Sequence, residues 1–515
     1  MHVRCRRTPF EFAPVREFLD RVGYRPSSVP EQVAHLLVRG TDGGVEDVRA
    51  ESHLTDATTV DTQLRYFTEP LVRQRLFTLA AASKHACRGL DRIEIEGCEH
   101  IHEGTALFFH ALGHHLPSCR IEMTFSRTAE VEAASDDPAG RREAEVASAC
   151  LRERPLTDDE FVRVLDAART CTYVGDYHTS ERLARRLARE RFHVEVEMLL
   201  GVAANATLRP FEAEYHFGRV YAHAEPLDRA RACYSLAMLA IRHHASSFRD
   251  LDRGEAYLQE AYEIIVGLDP SDRDAELAFR RVFNRNGLAL VWFKRGRVRE
   301  ALASLDLGIA RLRELAGAEV DLHHSVLEYN RILCLRALGD TARAEASYRR
   351  LLDLDPTYPY YPMDWARWEL AAGRPESALL AAQRAREIDP YLATAHSLMG
   401  RAFVAAGDEV RGETSLARAA ELEPVSPYHI CNLASLWNRT GRYERTRALL
   451  SRHDLTSWDE DHHECGVALL AQAIAVTDGH LDTSLALLES CARLRPDSPR
   501  LEQNLALFRS IAEAP

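Results

Sequence analysis

The sequence contains almost no lysine and no long apolar run. Lysine occurs only at Lys84 and Lys294 among 515 residues, so nearly all positive charge is arginine. A GC-rich genome explains this bias without a functional cause. The formal net charge of −13 argues against general affinity for nucleic acid. No segment approaches the roughly 20 apolar residues of a membrane-spanning helix, so no membrane association is expected.

The eleven cysteines are scattered and form no C-x-x-C pair. This pattern does not suggest a zinc ribbon or a disulfide framework, and it is typical of small buried residues in a reducing compartment. The basic residues 1–7 are not followed by the apolar segment of a secretory signal. We therefore expect a cytoplasmic protein.

Three catalytic motifs are also absent from the sequence. There is no G-x-x-x-x-G-K-[ST] loop to hold nucleotide phosphates, no H-E-x-x-H zinc motif and no G-x-S-x-G nucleophile elbow. We therefore expect no cofactor, and a role without catalysis is favoured over an enzyme.

What the sequence does contain is a repeat. Four glycines are spaced 34 residues apart, and a proline follows each of the first three after 17 residues: Gly339, Gly373, Gly407 and Gly441, with Pro356, Pro390 and Pro424. After a slip of four residues, Gly479 and Pro496 repeat the pair. A fixed period of this length, with a turn glycine and a closing proline, is typical of a helix–turn–helix solenoid.

On these residues the chain resembles the tetratricopeptide repeat (TPR) family over about residues 157–511. The resemblance implies a mostly α-helical, right-handed solenoid in which the first helix of each pair lines a concave groove. It also implies a cytosolic interaction or scaffold protein that binds a peptide or protein segment there. Thr157 and Glu160 have the spacing of a capping box at the start of the first repeat helix.

The repeat does not extend through the whole chain. We expect a small α/β domain at 1–128, a polar linker at 129–154, irregular helix pairs at 155–320, and a regular array at 321–515 that ends in a capping helix. Because the ends of solenoids often pair, the apolar tail is interpreted either as that capping helix or as a homodimer contact.

The N-terminal domain has a strand–helix–strand pattern. Residues 92–97 and 121–125 alternate polar and apolar side chains, and an apolar helix lies between them at 104–116, which predicts a right-handed βαβ unit. The stretch 92–127 resembles the second half of a STAND-type ATPase core, with a Thr-x-x-Arg sequence at the end of its last strand. Because the P-loop is absent, this resemblance implies a non-hydrolysing remnant in a transcriptional or signalling regulator. The alternative is an unrelated α/β cap.

Counting back from each turn glycine gives the side chains expected in the groove. An arginine recurs about once per repeat, with aromatic and amide groups between: Tyr329, Asn330, Arg336, Arg367, Arg401, Tyr428 and Asn432. Guanidinium groups presented in this way suit the carboxylates of an acidic peptide. The alternative is that these arginines pair with acids of the solenoid itself.

Two asparagines lie on a helix that is otherwise expected to be buried. Asn284 and Asn286 either reach the backbone of a bound peptide or bond across to the next helix. The Lys/Asn/Arg clamp that some TPR modules use on a chain terminus is not matched, since Asp364 and Leu398 occupy two of its amide positions.

Two further clusters carry other interpretations. Four arginines recur at helical spacing, and we interpret them as a solvated face rather than a nucleic-acid surface: Arg182, Arg185, Arg186 and Arg189. His110 and His114 are four residues apart on a predicted helix, a spacing that chelates transition metals. A metal-dependent enzyme that uses them is the last alternative, although Ala111 stands where an H-E-x-x-H enzyme needs glutamate. No metal site is predicted beyond these two candidates.

Overall fold

The computed structural model describes residues 1–39, 69–125 and 138–512, and the chain divides into two compact units. Unit 1 spans Met1–Tyr361 and unit 2 spans Pro362–Pro515. None of the described helices is both long enough and apolar enough to cross a membrane.

Unit 1 begins with a three-stranded parallel sheet. Its strands, in the spatial order β1-β2-β3, are β1 (His2–Arg4), β2 (Arg92–Glu96) and β3 (Arg120–Thr124). Ile93 and Ile95 are fully buried, while their neighbours on β2 are charged and face outward, as the alternating pattern predicts. The strand–helix–strand order is confirmed. Strand β1 has no counterpart among the sequence-based predictions.

Among the residues described up to Phe125, four helices accompany the sheet: α1 (Ala13–Arg21), α2 (Val29–Arg39), α3 (Glu69–Ser83) and α4 (Glu103–His115). Phe18 of α1 packs edge-to-face against Phe108 and Phe109 of α4, with ring centroids 6.1 and 5.4 Å apart. All three rings are fully buried, and this cluster therefore holds helices from distant parts of the sequence together.

Part of the predicted linker is a helix, α5 (Pro138–Leu151). The linker residues 129–137 lie outside the described part of the chain. Val146 and Ala149 of α5 are buried in a cluster that also contains Phe10 and the apolar side of the first repeat helices. The prediction of a polar linker over 138–151 is wrong, because the apolar side of α5 packs against Phe10, which is distant in the sequence.

The rest of unit 1 consists of paired helices. They are α6 (Asp158–Val174), α7 (Tyr177–Ala188), α8 (Val194–Ala206), α9 (Pro210–His223), α10 (Pro226–Met238), α11 (Leu251–Leu268), α12 (Ala275–Lys294), α13 (Val298–Leu312), α14 (Ala318–Ala337) and α15 (Thr341–Leu354). The predicted capping box begins α6: Glu160 N donates to Thr157 Oγ1 over 3.3 Å, and Thr157 N donates to the Glu160 carboxylate over 2.9 Å.

An ion pair between the buried Glu11 and the half-buried Arg182 joins the N-terminal residues to α7. Arg182 Nη2 donates to Glu11 Oε2 over 2.9 Å, and Arg182 Nε donates to the Pro9 carbonyl over 2.7 Å. Glu11 is 1% exposed, and its backbone N donates to Thr179 Oγ1 over 2.8 Å. The interpretation of the four arginines as a solvated face is therefore wrong for Arg182, because its partner is a distant buried acid. Arg185 does remain exposed.

Unit 2 contains the regular repeats. Its helices are α16 (Tyr360–Ala371, which begins at the division), α17 (Pro375–Ile388), α18 (Ala393–Ala405), α19 (Glu409–Leu422), α20 (Pro427–Arg439), α21 (Tyr443–Leu450), α22 (Glu460–Asp478), α23 (Leu481–Leu494) and α24 (Pro499–Ala512). The glycines of the 34-residue pattern and Gly479 have φ between 66° and 87°, the left-handed conformation that ends a helix most easily with glycine. The predicted turns are thus confirmed.

Two contacts within unit 2 bear on its stability. A Cβ atom on Gly400 of α18 would lie 2.6 Å from Leu416 Cγ and 3.0 Å from the carbonyl oxygen of Gly412, so the two helices of this pair touch through glycine. At the end of the unit, Leu501 and Phe508 of α24 are buried against α22 and α23, as expected of a capping helix. The homodimer stays a prediction.

Candidate functional site

The first helices of three successive pairs in unit 2, α18, α20 and α22, share one face, which we call the inner face. Arg401 Nη1 of α18 donates to the Tyr428 hydroxyl of α20 over 3.1 Å. The Tyr428 ring in turn meets the His462 ring of α22 edge-on, with centroids 6.2 Å apart. One line of polar and aromatic contacts therefore crosses three repeats.

A second line of contacts runs beside the first. Asn432 Nδ2 of α20 donates to Ser397 Oγ of α18 over 3.2 Å. Ser397, Cys431 and Cys465 are spaced 34 residues apart and so occupy the same position in successive repeats. A hydroxyl and two thiols therefore repeat at one regular position next to the line formed by Arg401 and Tyr428, with Ser397 and Cys431 buried and Cys465 half-buried.

The two predicted arginines of unit 2 are exposed. Arg401 makes its hydrogen bond to a hydroxyl and has no acidic partner in the described part of the chain. Arg367 of α16 has neither a hydrogen bond nor an ion pair with any described residue. By contrast, Arg411 and Arg418 on the second helix α19 pair with Asp408 and Glu421. The guanidinium groups of Arg367 and Arg401 therefore keep their charge available for a partner.

The other predicted groove residues belong to unit 1, and we consider them within that unit. Arg336 is half-buried and donates to the Tyr348 hydroxyl over 3.1 Å. Tyr329 packs against Tyr361, with ring centroids 5.8 Å apart. Both side chains are therefore engaged inside the unit, in contrast to the exposed Arg401.

Of the two asparagines on α12, Asn286 follows the second of the two predicted alternatives. Asn330 Nδ2 of α14 donates to Asn286 Oδ1 of α12 over 2.8 Å, so Asn286 bonds to a neighbouring helix. Asn284 is buried, and its Nδ2 has no hydrogen-bond partner among the described residues. The bond between Asn330 and Asn286 thus joins two helices, and the role of these asparagines in peptide binding stays a prediction.

Three side chains of the inner face are missing from the sequence-based predictions: Cys431, His462 and Cys465. The signal for them is in the spacing, since His462 stands 34 residues after Tyr428. The four-residue slip hides this relation. Helix α22 has 19 residues where α20 has 13, so the slip corresponds to about one extra helical turn at the end of α22, and its first turns keep the repeat register.

The candidate metal ligands lie together on α4. His110 Nε2 and His114 Nε2 are 3.3 Å apart, and both side chains are exposed. They border an open cavity of about 450 Å³ that Phe109, Ile121 and Met123 also line. In the described ranges no group of three His, Cys, Asp or Glu side chains could hold a metal ion. His110 and His114 therefore offer two imidazole ligands, and the described residues add no third ligand to them.

In the stretch that resembles an ATPase core, the acid after the first strand is either Glu96 or Glu99, and Glu96 is the last residue of β2. Glu96 carboxylate oxygens are 3.4 Å from His2 Nε2 and 3.5 Å from Arg4 Nε of β1, so this carboxylate has partners within the sheet. The arginine of the Thr-x-x-Arg sequence lies outside the described residues. Nucleotide binding stays a prediction.

No protein-family model matches the sequence, and no curated protein is significantly similar to it. Several solved structures are similar to the chain. Yeast Tom70 is 12% identical, with a TM-score of 0.37, over 73% of this chain and 85% of that one. PilW, a type IV pilus biogenesis factor, is 17% identical, with a TM-score of 0.34, over 44% and 98%. A thermophilic TPR protein from Thermus thermophilus is 19% identical, with a TM-score of 0.29, over 36% and 98%.

Identities and TM-scores this low do not transfer a function. The fold itself is clear from the helix pairs, their turn glycines and their 34-residue spacing. It is a TPR-like helical solenoid with a small three-stranded parallel sheet at its N-terminal end.

Proposed function

We propose that the protein is a cytoplasmic interaction scaffold that binds an extended acidic segment of a partner protein on the inner face of unit 2. The observation that supports it best is Arg401, an exposed arginine held by the Tyr428 hydroxyl rather than by a carboxylate. A guanidinium group that is already oriented loses less side-chain freedom when a carboxylate binds to it. It also offers paired N–H groups that match a carboxylate.

The geometry favours an extended occupant. Packed helices lie about 8–10 Å apart, and an extended chain advances about 3.3 Å per residue. A bound segment crossing α18, α20 and α22 would therefore meet a new helix about every third residue. Arg401, Tyr428 and His462 would be reached in turn, with Ser435 exposed on the same helix as Tyr428.

We expect peptides selected from a random displayed library on the full chain to be rich in aspartate and glutamate. Arg401→Glu is expected to weaken the binding of the best such peptide at least tenfold, which corresponds to about 1.4 kcal/mol, because a carboxylate pair is replaced by repulsion. Arg367→Glu tests the neighbouring repeat in the same way. The dissociation constants are measured by titration calorimetry or fluorescence anisotropy.

The matched control is Arg384→Glu. Arg384 is an equally exposed arginine on the second helix α17, where it pairs with Glu387. Its reversal is expected to change the dissociation constant less than about twofold, because exposed pairs contribute little. Selected peptides without acidic residues, or equal losses in Arg401→Glu and Arg384→Glu, would contradict the proposal.

A further inference from the structure

Two cysteines lie on neighbouring helices of the inner face. Cys431 of α20 and Cys465 of α22 occupy the same position in successive repeats. Cys431 Sγ donates to the carbonyl oxygen of His462 over 3.9 Å. Because a helical side chain lies over the turn that precedes it, the Cys465 side chain extends toward the turn that contains this carbonyl. The contact and the repeat spacing therefore bring Cys431 to the turn of α22 that carries Cys465.

The surroundings of the two thiols differ. Cys431 is 6% exposed, whereas Cys465 is half-buried and lies near the His462 ring and the Arg500 guanidinium group at the start of α24. Asp459 Oδ2 is 2.7 Å from His462 Nδ1 and therefore fixes the orientation of that ring. Cys465 thus lies near a guanidinium group and is accessible from solvent, and both are features of a reactive thiol.

The acidities of the cysteines agree with this arrangement. The neighbouring Cys431 thiol, followed by Arg500 and His462, lowers the pKa of Cys465 to about 6. The same proximity of the two thiols raises the pKa of Cys431. Burial raises the pKa of each of the other nine cysteines. The thiol of Cys465 is therefore more acidic than that of any other cysteine.

We propose that Cys465 is a site of oxidation by hydroperoxides and that Cys431 is its resolving thiol. The Cys465 thiolate attacks one oxygen of hydrogen peroxide, the O–O bond breaks, and a sulfenic acid and hydroxide form. The Cys431 sulfur then attacks the sulfenic sulfur, the S–S bond forms, and the hydroxyl leaves with the Cys431 proton as water. Two thiols are oxidised while one peroxide is reduced to two waters.

The modification would act on the inner face directly. Cys431 lies between Tyr428 and Asn432 on α20, and a disulfide would join α20 covalently to α22. The inference rests on the thiols and their neighbours, and it stands whether or not an acidic segment binds there. A failure of peptide binding and a failure of oxidation are therefore separate results.

The first test needs no variant. The full native chain is alkylated with iodoacetamide between about pH 5 and pH 9, and the rate at each cysteine is followed by peptide mass spectrometry. The rate at Cys465 is expected to be half-maximal near pH 6. Cys119 and Cys150 are also half-buried, but their raised pKa values should delay labelling until above about pH 8. A Cys465 profile that coincides with theirs overturns the proposal.

The second test uses hydrogen peroxide. Non-reducing peptide mapping of the oxidised parent is expected to give a Cys431–Cys465 link. Cys431→Ser should instead accumulate a dimedone adduct on Cys465, and Cys465→Ser should give neither product. The matched control Cys491→Ser removes a buried thiol of α23 and should keep the link. An oxidised parent without the linked peptide, or a Cys431→Ser protein without the adduct, overturns the proposal.

Discussion

Arg182→Met is expected to lower the free energy of unfolding of unit 1 by about 3 kcal/mol, because it leaves the buried Glu11 carboxylate without its half-buried cationic partner. Methionine keeps most of the apolar stem, so the loss comes from the charge rather than from packing. The Glu11 carboxylate would remain buried, held mainly by the Gly104 N–H at 2.6 Å. Burial lowers the pKa of His102 and so opposes its taking over as the cation.

A second buried acid raises the cost of losing Arg182. Burial, followed by the nearby Glu11 charge, raises the pKa of Asp176 to about 7, and Arg182 partly offsets this effect. Asp176 also begins α7 by accepting from Thr179 N over 3.0 Å. Without Arg182, the charges of the two buried carboxyl groups, Glu11 and Asp176, would repel each other with no cation to offset the repulsion.

Hydrogen exchange with mass spectrometry measures the effect locally, which matters because a chain of two units need not unfold in one step. Protection of β2 and α4 is expected to fall in Arg182→Met, while peptides of α18 and α19 serve as an internal reference. The control is Arg185→Met, one turn further along α7, where Arg185 is exposed and pairs with Glu181 and Glu212. It should cost less than about 1 kcal/mol. Equal losses in both variants would show that Glu11 does not depend on Arg182.

Gly400→Val is expected to cost about 3 kcal/mol in the pair formed by α18 and α19. The added Cβ would lie 2.6 Å from Leu416 Cγ and 3.0 Å from the Gly412 carbonyl oxygen. A side chain can move away, but the second neighbour is backbone of the partner helix, so the two helices must separate. The substitution therefore strains the packing of α18, which carries Arg401, against α19.

The same exchange experiment measures this loss. Protection in α18 and α19 should fall, and the effect should weaken with distance along the array, since each repeat contacts mainly its neighbours. The control is Gly218→Ala in α9, where an added Cβ meets no atom within 4 Å. That substitution should stabilise its helix by up to about 1 kcal/mol. Unchanged protection in Gly400→Val would show that the close contact is not required.

Features that depend on local sequence were predictable, and features that depend on distant partners were not. A turn glycine such as Gly407 needs a positive φ whatever surrounds it, so its spacing predicts the helix pairs. The capping box at Thr157 is equally local. Strand β1, by contrast, has three residues and two polar side chains, and only its pairing with β2 makes it a strand. Helix α5 likewise needs Phe10.

The candidate site divides in the same way. Arg401, Tyr428 and Asn432 follow from the repeat register, so the sequence predicts them as groove residues. That Arg401 is held by Tyr428 cannot be read from spacing, because it depends on the rotamers of two helices. The 34-residue spacing of Cys431 and Cys465 is visible in the sequence. That the two thiols are neighbours follows only from the side-by-side packing of α20 and α22 in the structure.

The apolar surface shared by Phe10, Val146 and the first repeat helices has a practical consequence for anyone who shortens the chain. The end of the repeat pattern near residue 155 looks like a natural place to cut. A fragment that starts there would leave this surface in water, where it would associate with other copies. Oligomers of such a fragment would be caused by the removal of residues 1–154 and would not be a property of the intact protein.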